Sequence, residues 1–350
     1  MADGTKIEWT DATWNPITGC SVVSPGCTNC YAMKLAGTRL KHHPTRAGLT
    51  TDSKAGPVWN GQVRFNEGML LDPLKWRRPR MIFVCAHGDL FAENVPDEWI
   101  DRLFAVMALS PHHIFQVLTK RPERMTTYLA NPDTVTRIYD LVMDMVVVDG
   151  AKAILTTPRT HDAAPAGNKV MLGLWPLPNV WLGVSVEDQK RADERQLPMV
   201  ALAMRGWRTW VSYEPALGPV NWMSNGGWGF LEWVVSGGES GHGARPTHPD
   251  WHRAARDFCA AHDIPFLFKQ WGEYLPAIDR DKEDPDWRRD YSFTYADDQP
   301  DMNWLNLAGG SGFHGARFHV MQRVGKRFAG RLLDGVEHNA FPTTPQREEA

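Results

Sequence analysis

Short apolar segments that alternate with amphipathic helical segments constrain the fold of this chain most strongly. Each apolar segment is short enough to be one buried strand, and most are followed by residues with helical periodicity. Buried strands joined by helices are typical of a parallel sheet. The pattern predicts an α/β protein with six to seven parallel strands, the clearest of which lie at 81–86, 112–122, 179–188, 207–218, 230–240 and 264–272.

Polar residues follow these predicted strands at the points where the strands end. In a (β/α) barrel the carboxyl ends of all strands face one mouth, whereas a doubly wound sheet binds ligands at a switch point. Because so many consecutive strands end in polar groups, we favour the barrel. The same side chains would also suit ordinary structural hydrogen bonds. The residues are Asp89, Lys120, Ser185, Glu187, Glu214, Glu239 and Lys269.

The order of these segments predicts one main domain and one extension. Residues 1–274 hold the barrel, and residues 148–175, which are rich in Ala, Gly and Pro, predict an insertion within it. Residues 275–350 predict an irregular C-terminal extension packed on the barrel. Helices are predicted at 33–40, 95–110, around 132–147, at 188–204 and at 250–263, and residues 42–68 predict a polar surface excursion.

Three of the five cysteines lie on one short loop near the N-terminus. Cys20, Cys27 and Cys30 have the spacing C-x6-C-x2-C, among glycine and proline residues that favour a loop. Three thiolates can hold a structural zinc ion if a fourth ligand completes the tetrahedron, and His42 or His43 could supply it. They can also hold an iron–sulfur cluster that leaves one iron open. The spacing alone leaves both metals possible.

The composition limits the classes of protein to which this chain can belong. The chain has 350 residues, 43% of them hydrophobic, and a net charge of −3, so any affinity for nucleic acid must come from local patches. An odd cysteine count with a cluster of three indicates metal binding in a reducing compartment. The N-terminus has no signal-peptide pattern, and no apolar run is long enough to span a bilayer. We therefore expect a cytoplasmic protein that does not bind membranes.

Several motifs together resemble a known family across nearly the whole chain. They are GCSVVSPGCTNCYA, FVCAHGDLF, FQVLTKRPERM, WLGVSVED, WVSYEPALGPV, VVSGGESG, FLFKQWG and VGKRFAGRLLDG. These segments look like the phage-associated three-cysteine family related to radical S-adenosylmethionine (radical SAM) enzymes. The resemblance implies a partial (β/α) barrel, S-adenosylmethionine as cofactor, and a [4Fe–4S] cluster on Cys20, Cys27 and Cys30.

Within that superfamily the chain is most similar to the spore photoproduct lyases, which repair ultraviolet-damaged DNA. Their tyrosine after the third cysteine matches Tyr31, and their strand-end residues resemble Asp89, Lys120 and Ser185. The resemblance implies that Lys120 contacts the methionyl carboxylate and that Ser185 and Asp89 contact the amino acid or ribose. The remaining residues assigned to cofactor binding are Glu187, Glu214 and the GGE sequence Gly237, Gly238 and Glu239.

Cys85 and Tyr31 are the candidate catalytic residues. The resemblance implies that Cys85 donates a hydrogen atom to a substrate radical and that Tyr31 relays the radical back. A thiol S–H bond is weak, and a phenol can share the unpaired spin. The alternative is that Cys85 is a buried strand thiol, the commoner role of a single cysteine.

The predicted function is a radical SAM lyase that repairs DNA photoproducts. Damaged DNA is then a partner, contacted by basic and aromatic residues at 76–80 and 120–124. An electron donor such as flavodoxin or ferredoxin is expected, and look-alike proteins are often encoded beside a three-Cys-motif partner protein. Two alternatives stay open, namely radical modification of a nucleobase or other substrate, and a non-catalytic protein with a structural zinc site.

Overall fold

The computed structural model describes residues 2–148, 175–281, 283, 301–310 and 317–343. The strands of the described residues form its sheets. In chain order they are β1 (Ala2–Asp3), β2 (Ala12–Trp14), β3 (Ile17–Thr18), β4 (Thr50–Ser53), β5 (Gly56–Trp59), β6 (Arg64–Phe65), β7 (Met81–Val84), β8 (Ile114–Thr119), β9 (Val180–Ser185), β10 (Arg208–Tyr213), β11 (Trp233–Gly237), β12 (Phe266–Gln270), β13 (Tyr274–Asp281), β14 (Met302–Trp304) and β15 (Arg317–Arg323).

One eight-stranded sheet forms the body of the molecule, in the order β1-β2-β7-β8-β9-β10-β11-β12. The seven strands from β2 to β12 are parallel, and β1 is an antiparallel edge strand. The sheet curls into a half-barrel, which confirms the predicted α/β partial barrel. The sequence did not predict β2, because a three-residue strand beside a polar loop has too few apolar positions to stand out.

The helices mostly lie where periodicity predicts them. They are α1 (Tyr31–Gly37), α2 (Asp72–Lys75), α3 (Asp97–Ala108), α4 (Pro122–Ala130), α5 (Pro132–Val148), α6 (Gln189–Ala203), α7 (Pro249–Ala261) and α8 (Lys326–Ala329). No helical pattern in the sequence predicts α2, α4 or α8, and α4 has Pro122 in its first turn. The predicted insertion around 148–175 falls almost entirely outside the described residues. Among the described helices, none combines the length and apolar character needed to cross a bilayer.

Alternate residues of each parallel strand face two separate cores. On β7, Ile82 and Val84 pack in a large core that also contains α3 residues such as Phe104. Met81 and Phe83 face a smaller core that contains no helix residue. Because successive strand side chains point to opposite faces, an apolar run on each strand fills both the outer, helix-covered layer and the concave layer.

Tryptophan rings fill the concave face. Trp9, just before β2, lies 4.7 Å from Phe83 on β7 and 5.3 Å from Trp210 on β10, measured between ring centroids. One ring can contact strands that are three places apart in the sheet only because the sheet is curled. Gly183 on β9 makes room for this packing, since a Cβ atom there would lie 2.3 Å from the Trp210 ring.

The region after residue 274 differs from the predicted irregular extension. Its described residues form a three-stranded antiparallel sheet in the order β13-β15-β14. A register shift between Pro276 and Ile278 lets both Val320 and Met321 of β15 be buried. This bulge breaks the strict alternation of apolar and polar residues by which a strand is recognised in a sequence.

His113 gives the fold a predictable response to acid. The residue is fully buried, and its Nε2 atom lies 3.1 Å from the Pro73 carbonyl oxygen. Its Nδ1 atom has no hydrogen-bond partner within the described residues, so protonation there would add an unsolvated charge. Burial, together with neighbouring His112, lowers the pKa of His113 to about 4 from its ordinary value of 6.5.

We expect His113 to stabilise the folded protein above pH 6.5 and to lose this contribution as the pH falls from 6.5 towards 4. The unfolded chain binds the proton more readily, so the loss amounts to about 3 kcal/mol of unfolding free energy. Urea denaturation at several pH values measures it. His113→Gln should flatten the pH dependence by about this amount, whereas His42→Gln, at an exposed position, should leave it unchanged. Equal slopes for both variants would refute the assignment.

Candidate functional site

The cysteine loop lies between β3 and α1, over the carboxyl ends of the parallel strands. At its start the Gly19 backbone N–H donates to the His87 carbonyl oxygen, 3.2 Å away, just beyond β7. Gly19 has φ +97°, and a Cβ atom there would lie 2.2 Å from the Gln62 carbonyl oxygen. The loop therefore needs glycine at this point, both for the backbone conformation and for the close approach.

Strand-end residues hold the loop in place. The Ser24 hydroxyl donates to Glu187 beyond β9, with an oxygen–oxygen distance of 2.7 Å. The Asn29 amide donates to Glu239 beyond β11 at 2.9 Å. Gly26 packs directly on Glu187, where an added Cβ atom would lie 2.5 Å from Oε1. The predicted meeting of strand-end polar residues at one mouth is thus present in the structure, and the cysteine loop sits on it.

The three cysteines form no disulfide, and their sulfur atoms do not all lie within 4.8 Å of one another. Cys27 is buried, and Cys20 and Cys30 are half-buried. A tetrahedral zinc ion with Zn–S bonds of about 2.3 Å would bring its sulfur ligands to within about 4 Å of one another. Within the described residues, only His248, Asp250 and His319 form a trio of candidate metal ligands whose atoms all lie within 4.8 Å.

Three thiols on one loop also suit a multinuclear cluster. In an iron–sulfur cube each cysteine binds a different iron atom, so the sulfurs lie farther apart than around one zinc ion. His42 and His43 are exposed, and neither joins the cysteines in a close group of described ligands. The loop therefore offers three thiolates, and neither His42 nor His43 lies in a close group of described ligands with them.

Burial and nearby charges act on the pKa of the thiols in opposite directions. Burial, with a contribution from Asp89, raises the pKa of Cys20 to about 12, and burial also raises the pKa of Cys30. Two cations act in the opposite direction. The Arg121 Nη1 atom lies 3.6 Å from the Cys20 sulfur, and the charge of Lys120 lowers the Cys30 pKa. A bound metal would deprotonate the thiols outright.

Glu187 lies at the centre of a buried ion-pair network. It is fully buried, and its carboxylate lies 2.7 Å from Arg195 Nη1 and 3.2 Å from Lys120 Nζ. Burial opposes the charge of this carboxylate, but the two cations hold its pKa below the ordinary value. Lys120 and Glu187, both predicted to contact the cofactor, are thus paired with each other.

Asp89 and Arg121 form a second network at the start of the cysteine loop. Asp89 accepts hydrogen bonds from the Thr119 hydroxyl at 2.7 Å and from Arg121 Nη1 at 2.9 Å. Arg121 also donates to the Ser21 carbonyl and hydroxyl oxygens and to Glu93. Asp89 therefore positions the arginine that contacts Cys20, a role that the sequence analysis did not predict.

The other predicted cofactor residues lie at the ends of β9 to β12. Glu214 pairs with Lys269, with the closest nitrogen–oxygen distance 3.1 Å, and Glu239 accepts two hydrogen bonds from the Arg245 guanidinium. Gly237 and Gly238 have packing reasons to be glycine, because added Cβ atoms would lie 2.6 Å from Glu214 Oε1 and 2.0 Å from the Trp271 carbonyl oxygen, respectively. The observed contacts of these residues are therefore with other protein groups at the mouth.

Ser185 differs from its neighbours at the mouth. It is buried at the end of β9, in register with Ser212 of β10. Its hydroxyl group has no hydrogen-bond partner among the described residues, although its carbonyl oxygen accepts from Arg195. The hydroxyl group therefore lies at the mouth without a protein partner among the described residues.

Tyr31 and the segment after β7 are neighbours, as the paired assignment of Tyr31 and Cys85 requires. The Tyr31 hydroxyl donates to the carbonyl oxygen of Ala86, the residue after Cys85. Burial raises the pKa of the Cys85 thiol to about 12, so it stays protonated at neutral pH. Cys85 has φ +55°, a conformation that costs energy in a residue other than glycine.

Arg46 is a feature of the site that the sequence analysis missed. It lies within the predicted surface excursion at 42–68, yet only 5% of it is exposed. Burial lowers the pKa of Arg46, whereas charge on Tyr31 or on Cys85 would act in the opposite direction, which places the guanidinium near both. Its Nε atom has no hydrogen-bond partner, and no carboxylate oxygen lies within 4.0 Å of it among the described residues. No pattern in the sequence marks this arginine as buried.

The basic residues predicted to contact DNA are divided between two places. Arg77 and Arg78 are exposed but precede β7, at the amino end of that strand and so opposite the cysteine loop. Arg121 and Lys120 are committed to the buried networks, and Arg124 donates to the Ala92 and Val95 carbonyl oxygens. These residues therefore do not form one basic patch at the mouth.

Comparisons with known proteins place the chain in a family. The model of the family described as "Protein of unknown function (DUF5131)" matches residues 4–342. The chain belongs to that family. No curated protein matches its sequence. The phage association remains a prediction, since neither finding bears on it.

Several solved structures of spore photoproduct lyase resemble the chain in fold. One is a mutant with bound AdoMet and dinucleoside spore photoproduct, with 11% identity over 91% of this chain and 71% of that chain, at a TM-score of 0.39. Another is complexed with dinucleoside spore photoproduct, with 11% identity over 92% and 71%, at a TM-score of 0.37. Likeness at this level does not assign a ligand or a reaction to this chain.

Proposed function

We propose that this protein is a radical SAM iron–sulfur enzyme that acts on nucleic acid, with repair of ultraviolet photoproducts in DNA as its reaction. One observation carries the proposal. Three cysteines that form no disulfide lie on a loop held over the carboxyl ends of a parallel half-barrel. The mouth of such a barrel is where enzymes of this architecture place their chemistry.

Cys20, Cys27 and Cys30 would hold a [4Fe–4S] cluster, and the iron without a cysteine would face S-adenosylmethionine. When bound, the pair supplies a 5′-deoxyadenosyl radical on reduction by a donor such as flavodoxin or ferredoxin. The chain's own residues orient the cofactor. Ser185 offers a hydroxyl group at the end of β9. Lys120 can bind the methionyl carboxylate only while it also pairs with Glu187.

Cys85 and Tyr31 would complete the reaction on the substrate. A substrate carbon radical takes the hydrogen atom from the Cys85 S–H bond, which leaves a thiyl radical. The thiyl radical then takes the hydrogen atom of the Tyr31 hydroxyl, which leaves a tyrosyl radical and restores the thiol. Burial keeps Cys85 in the protonated form that this transfer needs.

The surroundings of Tyr31 favour an anionic substrate with flat apolar groups. Arg46 is a buried cation without a carboxylate partner among the described residues, and a phosphate group would neutralise it. Tyr31, Val22 and Val23 are 50%, 46% and 40% exposed beside the cysteines. Exposed apolar groups beside the cysteines suit stacking with nucleobases. Bases must leave the duplex to reach this mouth.

Release of 5′-deoxyadenosine tests the proposed function. We expect the anaerobically reduced enzyme to release deoxyadenosine from S-adenosylmethionine, and irradiated DNA to be converted to repaired thymine pairs. If deoxyadenosine were released and an undamaged nucleobase were converted instead of a photoproduct, the result would support nucleobase modification. A protein that contains stoichiometric zinc and releases no deoxyadenosine would overturn the proposal in favour of a non-catalytic zinc protein.

Cys85→Ala is expected to separate radical formation from product formation. Without the thiol, the substrate radical has no hydrogen donor, so correct product should fall at least about tenfold while deoxyadenosine release continues. Product analysis by mass spectrometry measures the ratio. Cys259→Ala is the matched control, since Cys259 is also a buried free thiol but lies on α7. Unchanged product at an unchanged rate in Cys85→Ala would remove the donor role.

A further inference from the structure

A trio of metal-binding side chains joins the half-barrel to the C-terminal sheet. His248 and Asp250 lie at the start of α7, and His319 lies on β15. One ligand atom from each lies within 4.8 Å of the others. We propose that His248, Asp250 and His319 form a second metal centre, which binds one divalent first-row transition ion such as Zn²⁺.

The donor set fits this class of ion. Two imidazoles and one carboxylate are the ligands that zinc and other first-row ions prefer, whereas magnesium and calcium prefer oxygen ligands alone. His248 and His319 are both buried, with ring centroids 4.1 Å apart. His248 Nδ1 accepts a hydrogen bond from the Asp250 backbone N–H at 3.1 Å, and a metal ion bound at this nitrogen would take the place of that hydrogen bond.

The surrounding carboxylates complete the arrangement. The Asp250 Oδ2 atom lies 3.2 Å from His319 Nε2, and Asp279 Oδ1 lies 3.2 Å from His319 Nδ1. The approach of Asp279 Oδ1 to His319 Nδ1 does not have the geometry of a hydrogen bond. This buried nitrogen therefore has no hydrogen-bond partner within the described residues. A histidine with a carboxylate behind it and a second carboxylate beside it is the usual setting of a metal-ligating imidazole.

Arg253 orients both carboxylates. Its guanidinium lies 2.7 Å from Asp250 Oδ1 and also pairs with Asp279 and Asp334. This leaves Asp250 Oδ2 directed at His319, as a monodentate ligand would be. A bound ion would tie the last helix of the half-barrel to the C-terminal sheet, and three protein ligands would leave a position for water.

Zinc binding to the full chain carrying Cys20→Ala, Cys27→Ala and Cys30→Ala tests the inference independently of the proposed iron–sulfur site. We expect one Zn²⁺ per chain and a higher unfolding temperature with Zn²⁺ than with a chelator. Co²⁺ should bind with weak visible absorption and without the near-ultraviolet charge-transfer band that thiolate ligands produce. Zinc content is measured after desalting.

Asp250→Asn and His319→Gln, each added to that chain, should lower the zinc affinity at least about tenfold. Asp250→Asn keeps the side-chain size and reports on the site even if His319→Gln does not fold. His262→Gln, just beyond the same helix, should bind zinc normally. No retained zinc in the cysteine-free chain, or retention unaffected by Asp250→Asn, would overturn the proposal.

Discussion

Cys27→Ala is expected to abolish iron–sulfur loading and to reduce deoxyadenosine release to background. Cys27 is the buried member of the three cysteines, and its sulfur lies 3.8 Å from the hydroxyl of Ser24, which anchors the loop to Glu187. An iron–sulfur cluster held by only two cysteines would expose a second iron to solvent. The protein would then bind the cluster less tightly. Iron and sulfide content after anaerobic reconstitution, followed by the deoxyadenosine assay, measures both effects.

Cys259→Ala controls for the loss of one buried thiol. Cys259 packs on α7 in the outer core, away from the cysteine loop in the chain. Its replacement should leave iron content and deoxyadenosine release near those of the unmodified protein, apart from a modest loss of stability. If Cys27→Ala retained the same iron and sulfide as Cys259→Ala, the assignment of Cys27 as a cluster ligand would be wrong.

Glu187→Ala is expected to have the largest effect on stability of any polar substitution at the mouth. It removes the carboxylate between Lys120 and Arg195 and leaves two cations without that partner. Breaking a buried ion pair by deleting one member costs about 3–5 kcal/mol. Since Ser24 also binds Glu187, the variant should load less iron as well. Urea denaturation and iron content measure the two effects.

Glu194→Ala is the comparison for this variant. Glu194 pairs with Lys190 at 3.9 Å and with Arg191 at 3.6 Å, and about half of its side chain is exposed. Exposed pairs of this kind contribute about 0–1 kcal/mol, so the variant should unfold close to the wild-type midpoint. Similar unfolding free energies for Glu187→Ala and Glu194→Ala would show that the buried ion pairs of Glu187 do not stabilise the folded protein.

The framework of the fold was predictable because its signals are local. The strands from β7 to β12 are short apolar runs, and burial on both faces makes such runs continuous in the sequence. The polar residues after them had to meet at one mouth, and the Ser24–Glu187 and Asn29–Glu239 contacts show that the cysteine loop lies there. By contrast, β2 and the bulged β13–β15 pair are set by tertiary pairing, which leaves little periodicity to detect.

The partners of individual side chains were not predictable from the sequence. Lys120 was assigned to a cofactor carboxylate, but the fold pairs it with Glu187 at 3.2 Å. Arg46 lies in a polar segment that reads as surface, yet its guanidinium is buried near Tyr31. Residue types and strand order fix which groups reach the mouth. The pairing of a given cation with a given carboxylate depends on distances between strands of the sheet. The order of residues in the sequence does not reveal these distances.

Iron and acid-labile sulfide analysis of anaerobically reconstituted wild-type protein tests the central claim most directly. If Cys20, Cys27 and Cys30 hold a cube with one iron free of protein ligands, the chain should contain about four iron and about four sulfide ions. The spectrum of the reduced protein should then change when S-adenosylmethionine is added. One zinc ion per chain with no sulfide, and no response to S-adenosylmethionine, would contradict the account.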